Sequence, residues 1–292
     1  MRNPINYVID ADIKGFFDNV SHVWMEKFLR VRIVDPSFLL LIRRFMKAGY
    51  MDSGQLVVTE RGVPQGGNLS PILSNIFLHY VLDLWFEKRI KRQARGACFL
   101  VRYADDFVCM IRHQDDARHI ERALRERFTQ FDLELHSEKT RVISFGRYER
   151  ENARCQQRRV HTFDFLGFTH FCGTSRRGKF IVGRRTSRKK FRKRCQELNS
   201  WLKRVRNVLP AKQWWPILAA KLRGHYQYYG VSGNMPSLQR YYRLARYLIL
   251  KWLNRRSQRR SFNWAGFEAY LKHYPLPKPR IVHNLYTLSP VA

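Results

Sequence analysis

Two adjacent aspartates, Asp105 and Asp106, interrupt an apolar stretch, with Cys98-Phe99-Leu100-Val101-Arg102-Tyr103 before them and Phe107-Val108-Cys109-Met110-Ile111 after. The flanking runs read as two strands and the acids as the tight turn between them. Neighbouring carboxylates beside apolar strands repel one another and lose hydration, so something positive must occupy the gap. A divalent metal is the obvious occupant. Upstream, Asp12 ends another apolar strand, Tyr7-Val8-Ile9-Asp10-Ala11-Asp12-Ile13, just before a Gly-Phe-Phe turn. Three carboxylates on adjacent strand ends suit two Mg2+ ions about 3.5–4 Å apart, an arrangement used for in-line phosphoryl transfer.

Charge separates the chain into two halves. Its 292 residues carry a formal charge of +32, and a chain of this length makes about two domains. Residues 1–146 contribute only +4 and residues 147–292 contribute +28. Such a surplus opposes compactness unless a polyanion neutralises it, which makes nucleic acid the leading partner. A membrane is excluded as partner because no apolar run approaches the roughly 18–20 residues of a spanning helix. The five cysteines are scattered and never form C-x-x-C. Neither a zinc site nor a disulfide framework is indicated, and a reducing, cytoplasmic location is expected.

Helix-spaced apolar residues predict helices over 21–29 and 36–48, the second begun by Pro36 and stopped by Gly49. A short strand pair over 54–62 leads into Gly62-Val63-Pro64-Gln65-Gly66-Gly67, after which Ser70 as N-cap and Pro71 launch a further helix. A helix over 114–131 and a strand over 133–145 follow the acidic turn, and the charged tract 146–160 reads as a loop. A hairpin is expected from 162–168 to 179–182, then helices over 187–207, 213–229, 237–256 and 263–273. The irregular alternation favours an antiparallel sheet backed by helices, an α+β class, followed by a small helical bundle.

Five ordered blocks then carry a family likeness: Asp10-Ala11-Asp12-Ile13-Lys14-Gly15-Phe16-Phe17-Asp18-Asn19; Gly62 to Gly67 with Ser70-Pro71 and Asn75; Tyr103-Ala104-Asp105-Asp106; Glu138-Lys139-Thr140; and Phe163-Asp164-Phe165-Leu166-Gly167-Phe168. In this order they resemble group II intron reverse transcriptases, and the segments around Leu222-Arg223-Gly224-His225-Tyr226 and Trp252-Leu253-Asn254-Arg255-Arg256 resemble the thumb or maturase region of the same proteins. The resemblance implies a right-hand polymerase palm over 1–183 and an α-helical thumb over 184–292. It also implies RNA-directed DNA synthesis tied to intron mobility, with dNTP, an RNA template/DNA primer duplex and intron RNA as partners.

By that resemblance Asp12, Asp105 and Asp106 are the catalytic carboxylates, with the Ile13 carbonyl beside one of two Mg2+ ions. Asp10 is a rival ligand, since strand alternation puts it on the face of Asp12. Phe17 would block a ribose 2′-hydroxyl, although either Phe16 or Phe17 can equally be a core ring. Gln65, Gly66, Gly67 and Tyr103 would line the nucleotide, although glycines before a helix are also ordinary loop punctuation. Lys139 matches a lysine that relieves the pyrophosphate leaving group, whereas a lone lysine before a strand is more often a solvated one.

Between Arg184 and Arg194, eight of eleven residues are cationic. A solvated helix face is the plain reading of such a run. Interleaved aromatics favour an RNA-binding surface built from Arg185, Lys189, Lys190, Arg192, Lys193, Arg204, Arg223, Arg255, Arg256, Arg259 and Arg260. The family places a fingers region ahead of the first block, and here Asp12 lies about ten residues from Met1. The expectation is an N-terminally truncated copy, or a fragment whose fingers act in trans. The alternative is a catalytically silent maturase or RNA-binding fragment.

Overall fold

The computed structural model describes residues 5–52, 55–57, 61–63, 67, 69–175, 177–255 and 262–285. The chain divides into two compact units, Met1–Phe165 with Thr174–Ile181, and Leu166–Gly173 with Val182–Ala292.

In the first unit the elements run β1 (Tyr7–Ala11), α1 (Phe16–Asn19), α2 (His22–Arg30), α3 (Pro36–Lys47), β2 (Tyr50–Asp52), β3 (Gln55–Val57) and α4 (Ser70–Leu78). Two π-helical turns, His79–Asp83 and Phe86–Ile90, prolong α4 into the short α5 (Lys91–Gln93). Then come β4 (Cys98–Tyr103), β5 (Asp106–Ile111), α6 (Gln114–Thr129), β6 (Arg141–Ser144), α7 (Glu149–Cys155) and β7 (Thr162–Phe165). The main sheet has the order β4-β5-β1-β6, and every neighbouring pair is antiparallel. Helices back one face: Ile9, Ala11, Phe107, Cys109 and Ile111 point into a core shared with Met25, Phe77, Leu82, Ile120 and Phe128. This is the antiparallel, helix-backed architecture expected from the irregular alternation of elements.

Local chemistry sets the boundaries. Asp35 caps α3 by accepting from the backbone N–H groups of Ser37 and Phe38 at 2.8 and 3.4 Å, and Pro36 fits the first turn. Gly62, at φ 86°, is needed where it stands, because a Cβ there would lie 2.6 Å from the Phe17 carbonyl oxygen. Three expectations fail here. Ser70 is the first residue of α4 rather than its cap, which is Leu69. The expected strand 133–145 shrinks to β6, since Leu135 spends its pairing on an isolated bridge to Ile13. The tract 146–160 holds α7 because Glu149 is buried rather than solvated.

The second unit is mostly helical: α8 (Arg188–Val208), α9 (Ala211–Tyr229), α10 (Met235–Leu253) and α11 (Trp264–His273). Leu198, Leu202, Leu218, Leu222, Leu238, Ala245, Ile249 and Phe267 recur at helical spacing and form its core. Ser187 caps α8 and Asn263 caps α11 through their side-chain oxygens. Strands β8 (Phe168–Thr174) and β9 (Phe180–Thr186) complete a three-stranded sheet in the order β7-β8-β9, one strand more than the expected hairpin.

Candidate active site and nucleic-acid interface

Strand register brings the acidic positions side by side. Strand β1 pairs with β5 so that Asp10 faces Val108 and Ala11 faces Phe107; Asp12 and Asp106 are the next residues along the two chains, past the last registered pair. Registered partners point to the same face of a sheet. Ala11 and Phe107 point into the helix-backed core, so Asp106 lies on the opposite face, at its exposed end, and Asp12 is the first residue past β1. Tyr103, paired with Asp106 from the other side, is 68% exposed. Asp105 lies in the turn itself, where Ala104 adopts φ 54°. The Ile13 backbone follows Asp12 directly and bridges to Leu135.

That bridge delivers Lys139. The His136 N–H donates to the Asp12 carbonyl at 2.8 Å, and the turn after it carries Lys139 back so that Nζ lies 2.6 Å from Asp12 Oδ2. On the same face Arg141 approaches Asp10 at 3.5 Å. Burial raises the Asp10 pKa above the usual carboxylate value despite Arg141, and the charges of Asp164 and Asp12 push it the same way. Sequence reasoning ranked Asp10 below Asp12 and gave Asp164 no role. Among the described residues no three His, Cys, Asp or Glu side chains stand together as a metal-holding group; the Asp12 carboxylate is held by an ammonium instead. The donors are nonetheless carboxylate oxygens on neighbouring strands, the type that hard divalent cations require.

The acidic turn has a support that sequence reasoning missed. Arg102 Nε and Nη2 donate to the two carboxylate oxygens of Asp83 at 2.8 and 2.5 Å. Its Nη1 donates to Asn75 Oδ1 and to the Ala104 carbonyl, both at 2.9 Å. A planar guanidinium has the geometry for all four bonds at once. Asp83 sits at the end of a π-helical turn, a feature with no simple periodicity in the sequence. Asn75, quoted above only as part of a block, was the available clue.

Phe16 is the core ring, 2% exposed, and Phe17 packs edge-on against it at 5.4 Å while remaining partly exposed. The Val63 N–H donates to the Phe17 carbonyl at 2.7 Å, fixing the start of the glycine loop against α1. Gly67 is half-buried just before α4; Gln65 and Gly66 lie outside the described residues.

In the helical unit, Arg185, Lys189, Lys190, Arg192, Lys193, Arg204, Arg223 and Arg255 are all exposed. Arg256, Arg259 and Arg260 lie outside the described residues. A cavity of about 680 Å³ is lined by Arg185, Arg188, Arg192 and Arg240 with no carboxylate among its lining residues. Arg240, which lies over the Phe191 ring at 5.2 Å, was not singled out by sequence because it is one of four cations spread along α10, with Arg243, Arg246 and Lys251, rather than part of a run. Most aromatics in this half are core: Trp214, Tyr226, Tyr229, Tyr241 and Trp252 are at most 6% exposed, whereas Tyr228 and Tyr247 are about half exposed.

The family described as "Reverse transcriptase (RNA-dependent DNA polymerase)" matches residues 2–170. Among curated proteins, the group II intron-encoded protein LtrA of Lactococcus lactis subsp. cremoris is 44% identical over 82 residues, 27% of this chain and 14% of LtrA. Protein YkfC of Escherichia coli K12 is 33% identical over 131 residues, 36% of this chain and 34% of YkfC. A putative COX1/OXI3 intron 1 protein of Saccharomyces cerevisiae is 28% identical over 185 residues, 47% and 22% of the two chains. The chain thus covers about a third or less of these relatives. Among solved structures, telomerase from Candida albicans in complex with a fragment of telomeric RNA aligns with a TM-score of 0.47 at 14% identity, over 92% of this chain and 46% of that one. No helix among the described residues is long and apolar enough to cross a membrane.

Proposed function

The chain belongs to the reverse transcriptase family, with its curated likeness to group II intron-encoded proteins, and on that footing we propose that it copies RNA into DNA at the open face bearing Asp12, Asp105 and Asp106. The single observation that carries this reading is that Asp12 and Asp106 each come one residue past the registered pair Ala11–Phe107, with Lys139 on the Asp12 carboxylate. Neighbouring carboxylates repel one another, and a bound divalent cation would relieve that repulsion.

Asp12, Asp105 and Asp106, with the Ile13 carbonyl, would hold two Mg2+ ions. Bound there, Mg2+ supplies charge stabilisation at the attacking and leaving oxygens of phosphoryl transfer. The chain's own groups do the rest. Arg102 fixes the turn that presents Asp105 and Asp106 through the Ala104 carbonyl, so the carboxylates need no reorganisation during reaction. Lys139 would stabilise or protonate the departing pyrophosphate once the Asp12 carboxylate is otherwise satisfied. Phe17, whose carbonyl accepts from the Val63 N–H, would exclude a 2′-hydroxyl by the volume of its ring. The cationic helical unit grips template, primer and intron RNA through phosphates.

A second reading, RNA binding with a maturase role and no synthesis, is favoured by the concentration of +28 in residues 147–292. Extension of oligo(dT) on poly(rA) with dTTP separates the two. Processive extension supports the polymerase; tight binding of the hybrid with no incorporation leaves only the RNA-binding role.

A further inference from the structure

Gly224 is an exposed residue inside α9, and the fold has no use for it as a glycine. Glycine is a poor residue in a helix interior, and it is normally kept where a side chain would collide. Gly230, just past the same helix, is such a case: a Cβ there would lie 2.2 Å from the Tyr226 carbonyl oxygen. At Gly224 a Cβ would meet nothing within 4 Å. The space it leaves open belongs to a cavity of about 280 Å³ bordered by Trp201, His225, Tyr229 and Tyr241.

His225 is the second anomaly. It is 7% exposed and stacks on Tyr241 with ring centroids 3.8 Å apart and planes 15° from parallel. Neither ring nitrogen has a hydrogen-bond partner among the described residues, a costly condition for a buried polar group. Burial and the nearby Arg194 charge lower its pKa to about 4. The imidazole is therefore neutral at physiological pH, and stacked on Tyr241 it forms part of the cavity's aromatic wall. Glu197 also lines the cavity but is neutralised by Arg194 at 2.9 Å. Lys221, over the Trp201 ring at 5.2 Å, remains as a cation at the rim.

We propose that this cavity takes one unpaired nucleotide of an RNA strand, its base against the rings of Trp201 and Tyr228, its phosphate near Lys221, with Gly224 leaving room for the strand's approach. The volume suits one base and excludes a duplex. Exposed Arg223 and half-exposed Tyr228 on the same helix favour a strand over a free mononucleotide. This deepens the RNA-binding role proposed above and rests on it.

The test compares oligoadenylate RNA with a ribose-phosphate strand of the same length lacking bases, on the full chain and on Gly224→Leu. Leucine is a good helix former whose Cβ meets no neighbouring protein atom at this position, so the melting temperature should hold or rise. Base stacking contributes about 1–3 kcal/mol, so the substitution should weaken oligoadenylate binding by about fivefold or more and erase the preference over the base-free strand. Unchanged oligoadenylate affinity in a folded Gly224→Leu overturns the proposal. If that variant melts early, Gly224→Met, an unbranched helix former, is measured instead; it should lose the base preference, and a retained preference overturns the proposal. Parent chain that binds both strands equally sinks the cavity alone. Failure to bind either strand removes the RNA-binding role as well.

Discussion

Lys139 Nζ meets Asp12 Oδ2 at 2.6 Å across 127 residues of sequence. Both side chains are substantially exposed, at 62% and 38%, and exposed ion pairs contribute only about 0–1 kcal/mol to stability. Little stability is therefore expected from the pair, and the proposed catalytic role of Lys139 can be tested apart from folding.

Lys139→Ala should leave the melting temperature almost unchanged and lower the single-turnover rate of dTTP addition by about 10²–10⁴, the range for a lost general acid. Affinity for the primer–template should not move. A variant that unfolds early, or incorporates at the parent rate, contradicts the assignment.

Arg102→Met removes four bonds and leaves Asp83 without its guanidinium. Stripping one partner from a partly buried pair should cost about 3 kcal/mol, read by urea unfolding. Adding Asp83→Leu should restore most of that stability, since no charge is then stranded, but not the synthesis rate, because the Ala104 carbonyl remains unheld. Full recovery of both would show that Arg102 serves the fold alone.

Glu149 supplies a pH test. Burial opposes its ionisation, but bonds from Arg158, the His161 N–H and Ser144, with the Arg158 charge, outweigh it and lower the pKa from 4.5 to about 2. A depressed folded-state pKa contributes stability above the unfolded value and loses it as pH falls through the folded one. Glu149→Gln should thus melt several degrees below the parent at neutral pH, and the gap should shrink between about pH 4.5 and 2. A gap that stays constant across that window would contradict the ion pair.

Binding to structured RNA should weaken steeply with salt, because displaced counterions set the slope. Charge reversal of Arg192 and Arg240 together should flatten that slope. A constant that barely moves between low and high salt would remove phosphate contact as the basis of binding.

Much of this was legible in the sequence because it is local. The acidic turn, the apolar strands beside it and helices α8 to α11 each follow from patterns a few residues long. What escaped was non-local. The charges of 146–160 resemble a solvated loop until Glu149 is seen enclosed by Arg158 and His161. Asp83 has no distinguishing neighbours in sequence, and only a π-helical turn brings it to Arg102. The Lys139–Asp12 contact was foreshadowed by the family likeness alone, since nothing in a lone lysine specifies its partner.

The most direct measurement is dTTP incorporation on oligo(dT)/poly(rA) by the parent chain and by Asp105→Ala/Asp106→Ala, with RNA affinity determined on the same preparations. Extension by the parent, none by the double variant, and equal or tighter RNA binding by the variant is the predicted result. Equal incorporation by both proteins would contradict a catalytic role for the acidic turn.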